Sequence, residues 1–140
     1  MEEKYITNSE EETKAFAREF AKKLKCGDIV ILSGDLGSGK TKFVEGVLEN
    51  FNLQDEISSP TFTIVNEYKN EQATIYHFDV YRLEDADEFY AIGGEEYFEN
   101  GICLIEWGEM IEDILPKGYI KIEFSRDLDN ENRREIKIIK

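Results

Sequence analysis

The strongest constraint on the fold is the run Ser33-Gly34-Asp35-Leu36-Gly37-Ser38-Gly39-Lys40-Thr41, which follows the apolar tetrad Ile29-Val30-Ile31-Leu32. It fits G-x-x-x-x-G-K-[ST], with Gly34, Gly39, Lys40 and Thr41 at the fixed positions. A loop that wraps a polyphosphate must turn its backbone N–H groups inward. Glycine permits this because it has no Cβ to clash at positive φ. The positive end of a following helix, the mobile charge of Lys40 and a hydroxyl from Thr41 able to ligate Mg²⁺ complete a phosphate cradle. The short pattern also arises by chance, as a glycine-rich turn with an incidental lysine, so its flanks decide. Before it stands a buried-strand tetrad. After it, Phe43, Val44, Val47, Leu48 and Phe51 form an apolar stripe at helical spacing.

The rest of the chain reads as alternating helices and strands. Ser9 stands three residues before Glu12, the spacing of a capping box. Phe16, Ala17, Phe20, Ala21 and Leu24 continue a helix to about Lys25, where Gly27 breaks it. A linker over 52–55 leads to Ser58-Ser59-Pro60-Thr61. Two period-2 runs, 62–68 and 73–80, are joined by the polar turn Lys69-Asn70-Glu71 and predict an antiparallel hairpin. In the second run His77 and Asp79 share one face, opposite Tyr76, Phe78 and Val80. Short helices are expected over 84–91, 95–99 and 109–115. Ile102-Cys103-Leu104-Ile105 is a continuous apolar run, the mark of a strand buried on both faces. Residues 119–124 and 135–139 alternate around an acidic turn. The expectation is a single α/β domain, 1–140, with a P-loop NTPase-like three-layer fold. Its central sheet is mixed and mainly parallel, with antiparallel hairpins added.

A chain of 140 residues can bury roughly 70% of the surface its unfolded form exposes, so it needs no staples. Cys26 and Cys103 lie far apart and the chain has one histidine, which gives neither zinc spacing nor a disulfide framework. The start Met1-Glu2-Glu3-Lys4 is acidic where a signal peptide would be basic, and no apolar run approaches membrane-spanning length. A soluble, cytoplasmic protein is expected. The net charge of −14 repels phosphate backbones, so a direct broad grip on nucleic acid is not expected. Any nucleotide site must be a local positive island.

Phosphate chemistry also needs acidic residues near the metal. Glu106 ends the buried run 102–105, as such a residue would, although an exposed strand-end carboxylate has the same appearance. Asp79 ends another strand; it either acts at the metal or the nucleophile, or pairs with Arg82 at the surface. His77 reads as a satisfied strand histidine and Trp107 as core, with packing near the nucleotide or service to a partner as its other readings. No Asn-Lys-x-Asp run for guanine is present, which favours adenine. Arg133 and Arg134 either approach the nucleotide or flank a turn at the surface.

Four separated motifs coincide with one family: Gly34 to Thr41, Ser59-Pro60-Thr61-Phe62, His77-Phe78-Asp79-Val80-Tyr81-Arg82-Leu83, and Ile105-Glu106-Trp107. In order and spacing the chain closely resembles the TsaE (YjeE) family, bacterial ATPases of tRNA threonylcarbamoyladenosine synthesis. The resemblance implies an ATP-phosphate loop at Leu36, Gly37, Ser38, Gly39, Lys40 and Thr41, with Thr41 and Glu106 on Mg²⁺. It implies a hydrolytic role for Asp79 and a switch-like segment at Ser59-Pro60-Thr61. Glu10 and Arg133 align with positions near the nucleotide. Ser38 replaces the alanine common in the family's loop. The resemblance further implies a subunit, weakly active alone, that acts with TsaB and TsaD, with TsaC in the same pathway. The modified adenosine lies next to the anticodon of tRNAs reading codons that begin with A, and tRNA is met only through the complex. A P-loop small-molecule kinase is the competing expectation. It calls for an acceptor pocket and an arginine-bearing lid, and no arginine-rich insertion is evident. A non-hydrolysing nucleotide-binding module is a third.

Overall fold

Two hydrophobic faces on one set of strands dictate the architecture. The computed structural model describes residues 2–34, 39–53, 65–80, 86–91, 93–127 and 130–139. Seven strands form one sheet in the order β1-β7-β6-β2-β5-β4-β3. They are β1 (Glu2–Thr7), β2 (Ile29–Gly34), β3 (Val65–Lys69), β4 (Thr74–Asp79), β5 (Ile102–Glu106), β6 (Ile120–Asp127) and β7 (Asn130–Ile139). The core strands β6, β2, β5 and β4 are mutually parallel, while β3 and β7 run against their neighbours as the predicted hairpins. The fold is therefore α/β with a mixed sheet and a parallel centre.

Helices α1 (Glu10–Ala21) and α2 (Lys40–Asn50) cover one face. Their Ala17, Ala21, Phe43, Val47 and Leu48 bury against Val30, Leu32, Leu104, Ile122, Ile136 and Ile138. The opposite face of the central strands, with Tyr76, Phe78, Cys103 and Ile105, packs against Phe89 of α3 (Ala86–Ala91), Phe98 after α4 (Gly94–Tyr97), and Ile111 of a 3₁₀ segment, Gly108–Ile114. Strands buried on both sides read as unbroken apolar runs, which is why β2 and β5 stand out in the sequence. β6 and β7 alternate instead. Their second face carries ion pairs such as Lys121–Glu112 at 3.1 Å and Lys137–Glu2 at 3.4 Å.

The two helices of the first layer lie close because α2 offers Gly46 at the crossing. A Cβ there would sit 2.5 Å from the Lys14 carbonyl oxygen and 2.6 Å from the Ala17 Cβ. Beside it, Glu49 takes Lys14 at 3.1 Å and Arg18 at 2.8 Å. Burial alone would raise the Glu49 pKa, but these hydrogen bonds outweigh it and hold the carboxyl below its usual range. At the start of α1 the Ser9 hydroxyl accepts from the Glu12 N–H at 3.1 Å, as the capping spacing predicts. No described helix is long and apolar enough to cross a membrane.

Candidate active site

In a parallel sheet the side chains that end the strands gather at one edge, where open α/β folds bind their ligands. Here β2, β5 and β4 end side by side at Gly34, Glu106 and Asp79. Leu32 pairs with Glu106, and Glu106 pairs with Asp79. β2 leads through residues 35–38, which lie outside the described residues, to Gly39 and the first turn of α2. Gly39 has φ +110, a left-handed conformation that a side chain would strain.

The two helices of this layer begin differently. α1 carries Glu10, Glu11 and Glu12 in its first turn and a serine cap. α2 has no acidic residue in its first turn and no side-chain cap, so its leading N–H groups keep their positive character. Lys40 opens α2 and is only 5% exposed. Its Nζ has no hydrogen-bond partner among the described residues and lies 4.2 Å from the centre of the Trp107 ring. A buried ammonium without an acceptor is costly, and the face of an aromatic ring offsets only part of that cost. In a chain of net charge −14 this is a local positive charge of the kind that suits an anion.

Around the cradle, Thr41 is exposed in the same turn of α2. Glu10 lies at the start of α1, with its carboxylate 3.9 Å from the Lys42 ammonium of α2. Asp79 is half-buried beside Glu106. The single histidine, His77, is buried and its Nε2 meets the Glu106 Oε2 at 2.6 Å. It is a satisfied strand histidine, as read, but its partner is the expected metal carboxylate. Trp107 is half-buried and adopts φ +63, unusual for a bulky residue. Its backbone N–H donates to the Leu32 carbonyl at 3.1 Å, and the next residue, Gly108, lies so close to Ile31 that a Cβ would come within 2.7 Å of Ile31 Cγ2. The strained turn thereby sets the indole beside Lys40.

Strand phase separates the two arginines. Ile136 and Ile138 of β7 face α1 and α2, and Arg134 shares their parity. A Cβ built on Gly39 would be 3.8 Å from Arg134 Cγ. Arg133, the arginine that the family resemblance singles out, is exposed and on the other parity. Leu36, Gly37 and Ser38, the segment Ser59-Pro60-Thr61, and Arg82 lie outside the described residues. Neither cysteine belongs to this edge. Burial pushes the Cys103 thiol up to about 12, which makes it inert as a nucleophile.

A central parallel strand followed, across the sequence motif Gly34 to Thr41, by an uncapped helix with a buried lysine at its first position marks the P-loop nucleotide-binding class. Within that class, the family model described as "Threonylcarbamoyl adenosine biosynthesis protein TsaE" matches residues 7–136. The chain belongs to the TsaE family. It is 45% identical to the TsaE protein of Bacillus subtilis, over 95% of this chain and 82% of that one. With the Rickettsia bellii TsaE protein it shares 45% identity, covering 91% and 89%. The crystal structure of Bacillus subtilis YdiB superposes with a TM-score of 0.80 at 39% identity, covering 99% of this chain and 84% of that one.

Proposed function

We propose that this chain is the ATP-hydrolysing subunit of tRNA threonylcarbamoyladenosine synthesis, working as a single domain over 1–140 in the cytoplasm with TsaB and TsaD. The observation that carries the ATPase reading is the buried Lys40 ammonium, without a hydrogen-bond partner among the described residues, at the uncapped start of α2. Those groups fit a polyphosphate: the helix N–H groups and Lys40 stabilise negative oxygens, and Lys40 exchanges the Trp107 ring for the β- and γ-phosphates. Leu36, Gly37 and Ser38, which lie outside the described residues, would join Gly39 in binding the phosphates, as the sequence motif implies.

Thr41 and Glu106 would hold Mg²⁺, a hydroxyl and a carboxylate being the hard oxygen donors that ion takes. Mg²⁺, when bound, neutralises charge on the phosphate oxygens. Asp79, next to Glu106 at the same edge, orients the attacking water. Glu10 and Arg134, whose Cγ lies 3.8 Å from where a Cβ on Gly39 would stand, complete the surroundings of an adenine nucleotide, with Arg133 exposed on the opposite strand face. The pathway is supported by the family and by the names its members carry.

Docking onto TsaB and TsaD, with TsaC in the same pathway, lets an acidic subunit serve a tRNA enzyme without gripping RNA itself. ATP hydrolysis then resets the assembly between turnovers. The test is multiple-turnover modification of tRNA by TsaB, TsaC and TsaD with this chain present or omitted. Modification is expected to stall without it after about one turnover per complex, as a reset step requires. Equal progress without the chain would reject the proposal.

A further inference from the structure

A carboxylate at a strand end has freely rotating torsions, and a metal site works only when its oxygens are held to about half an ångström. Glu106 is not left to rotate. β4 and β5 are parallel, with His77 opposite Leu104 and Asp79 opposite Glu106. His77 therefore sits one pleat below Glu106 on the same face and reaches up to it, Nε2 to Oε2, at 2.6 Å. An ionised carboxylate can only accept, so Nε2 carries the proton and donates it. This bond occupies Oε2 and leaves Oε1 with no hydrogen bond among the described residues.

Burying an imidazole in a strand row otherwise filled by Ile75 and Leu104 is costly unless its N–H finds an acceptor. A valine or isoleucine would fill the row more cheaply if packing were the only requirement. The donor is also aimed at one particular carboxylate oxygen, as outer-shell partners of metal ligands are.

We propose that His77 is a positioning residue for the hydrolytic site. Its Nε2–H fixes the Glu106 side chain so that Oε1 alone is presented to the nucleotide-bound divalent cation. The inference rests on the reading of Glu106 as a Mg²⁺-holding residue. His77 touches neither nucleotide nor cation and acts through Glu106.

The test compares His77→Gln, whose amide N–H₂ reaches about as far as Nε2, with His77→Asn, whose amide falls short. Both are checked by thermal melting for a folded chain. Mn²⁺ is titrated into each protein with ADP and followed by electron paramagnetic resonance, and Mg²⁺ dependence of ATP hydrolysis is measured in parallel. His77→Asn is expected to weaken Mn²⁺ binding by about 10- to 100-fold, with metal-free ADP binding unchanged, and His77→Gln to restore most of it. In a Glu106→Gln background, His77→Asn should have little further effect, because the two residues act as one unit.

Wild-type Mn²⁺ affinity in His77→Asn would overturn the proposal, as would equal losses in the Asn and Gln variants. An additive loss in the Glu106→Gln background would do the same. If the wild type bound Mn²⁺ with ADP normally while those results held, the positioning role alone would fall. If the wild type bound no Mn²⁺ with ADP and hydrolysed no ATP, the reading of Glu106 would fall with it.

Discussion

Replacing Lys40 with alanine is expected to lower ATP turnover by about 10²- to 10³-fold, the scale of losing one preorganised donor to developing charge. The fold should survive. The ammonium is buried without a hydrogen-bond partner among the described residues, so its removal relieves a desolvation cost. That relief opposes the loss of the ring contact with Trp107, about 0.5 to 2 kcal/mol, and of the packed side-chain stem. Lys40→Met keeps the stem and removes only the charge, so it should show the same loss of turnover with a melting temperature nearer the wild type. Steady-state hydrolysis and thermal melting on the two variants check this. Full activity in Lys40→Met would mean that the charge does not serve the phosphates.

Glu106→Gln is the second large effect. The amide keeps the size of the side chain and its oxygen can still accept from His77, so the strand end should remain as it is. What disappears is the negative charge. Turnover is expected to fall by about 100-fold, and the Mg²⁺ concentration for half-maximal rate to rise. Nucleotide binding measured without Mg²⁺ should stay unchanged, which separates loss of a metal-holding charge from collapse of the site. A turnover within about a factor of three of wild type, less than about 1 kcal/mol of barrier, would remove Glu106 from the hydrolytic machinery.

Much of this geometry was legible in the residues. Ile29 to Leu32 and Ile102 to Ile105 are continuous apolar runs because both faces of their strands are covered, and such runs mark central strands. The polar turn at Asn70 announced the hairpin of β3 and β4, and Ser9 the start of α1. Lys40 followed from the loop pattern alone. What stayed hidden depends on strand order and phase. That His77 meets Glu106 requires β4 beside β5 in parallel and in one register, a pairing that spans the segment between them and that no local pattern states. Arg134 rather than Arg133 lies against Gly39 because strand side chains alternate, and a shift of one position changes the face. Trp107 packs against the second core cluster, as its core reading has it, but its place beside Lys40 comes from a left-handed turn, and nothing in a tryptophan's identity advertises positive φ. Gly108 immediately after it was the available signal, since a glycine there admits the close approach to Ile31.

On the proposed function, the edge carrying Lys40, Asp79 and Glu106 hydrolyses ATP in the service of a tRNA-modifying assembly. ATP hydrolysis by this chain, measured alone and with TsaB and TsaD at saturating Mg²⁺, tests it most directly. Slow hydrolysis alone, a marked rise when both partners are present, and no rise for Lys40→Ala are expected. A rate indifferent to the partners, or a partner-dependent rise that persists in Lys40→Ala, would contradict it.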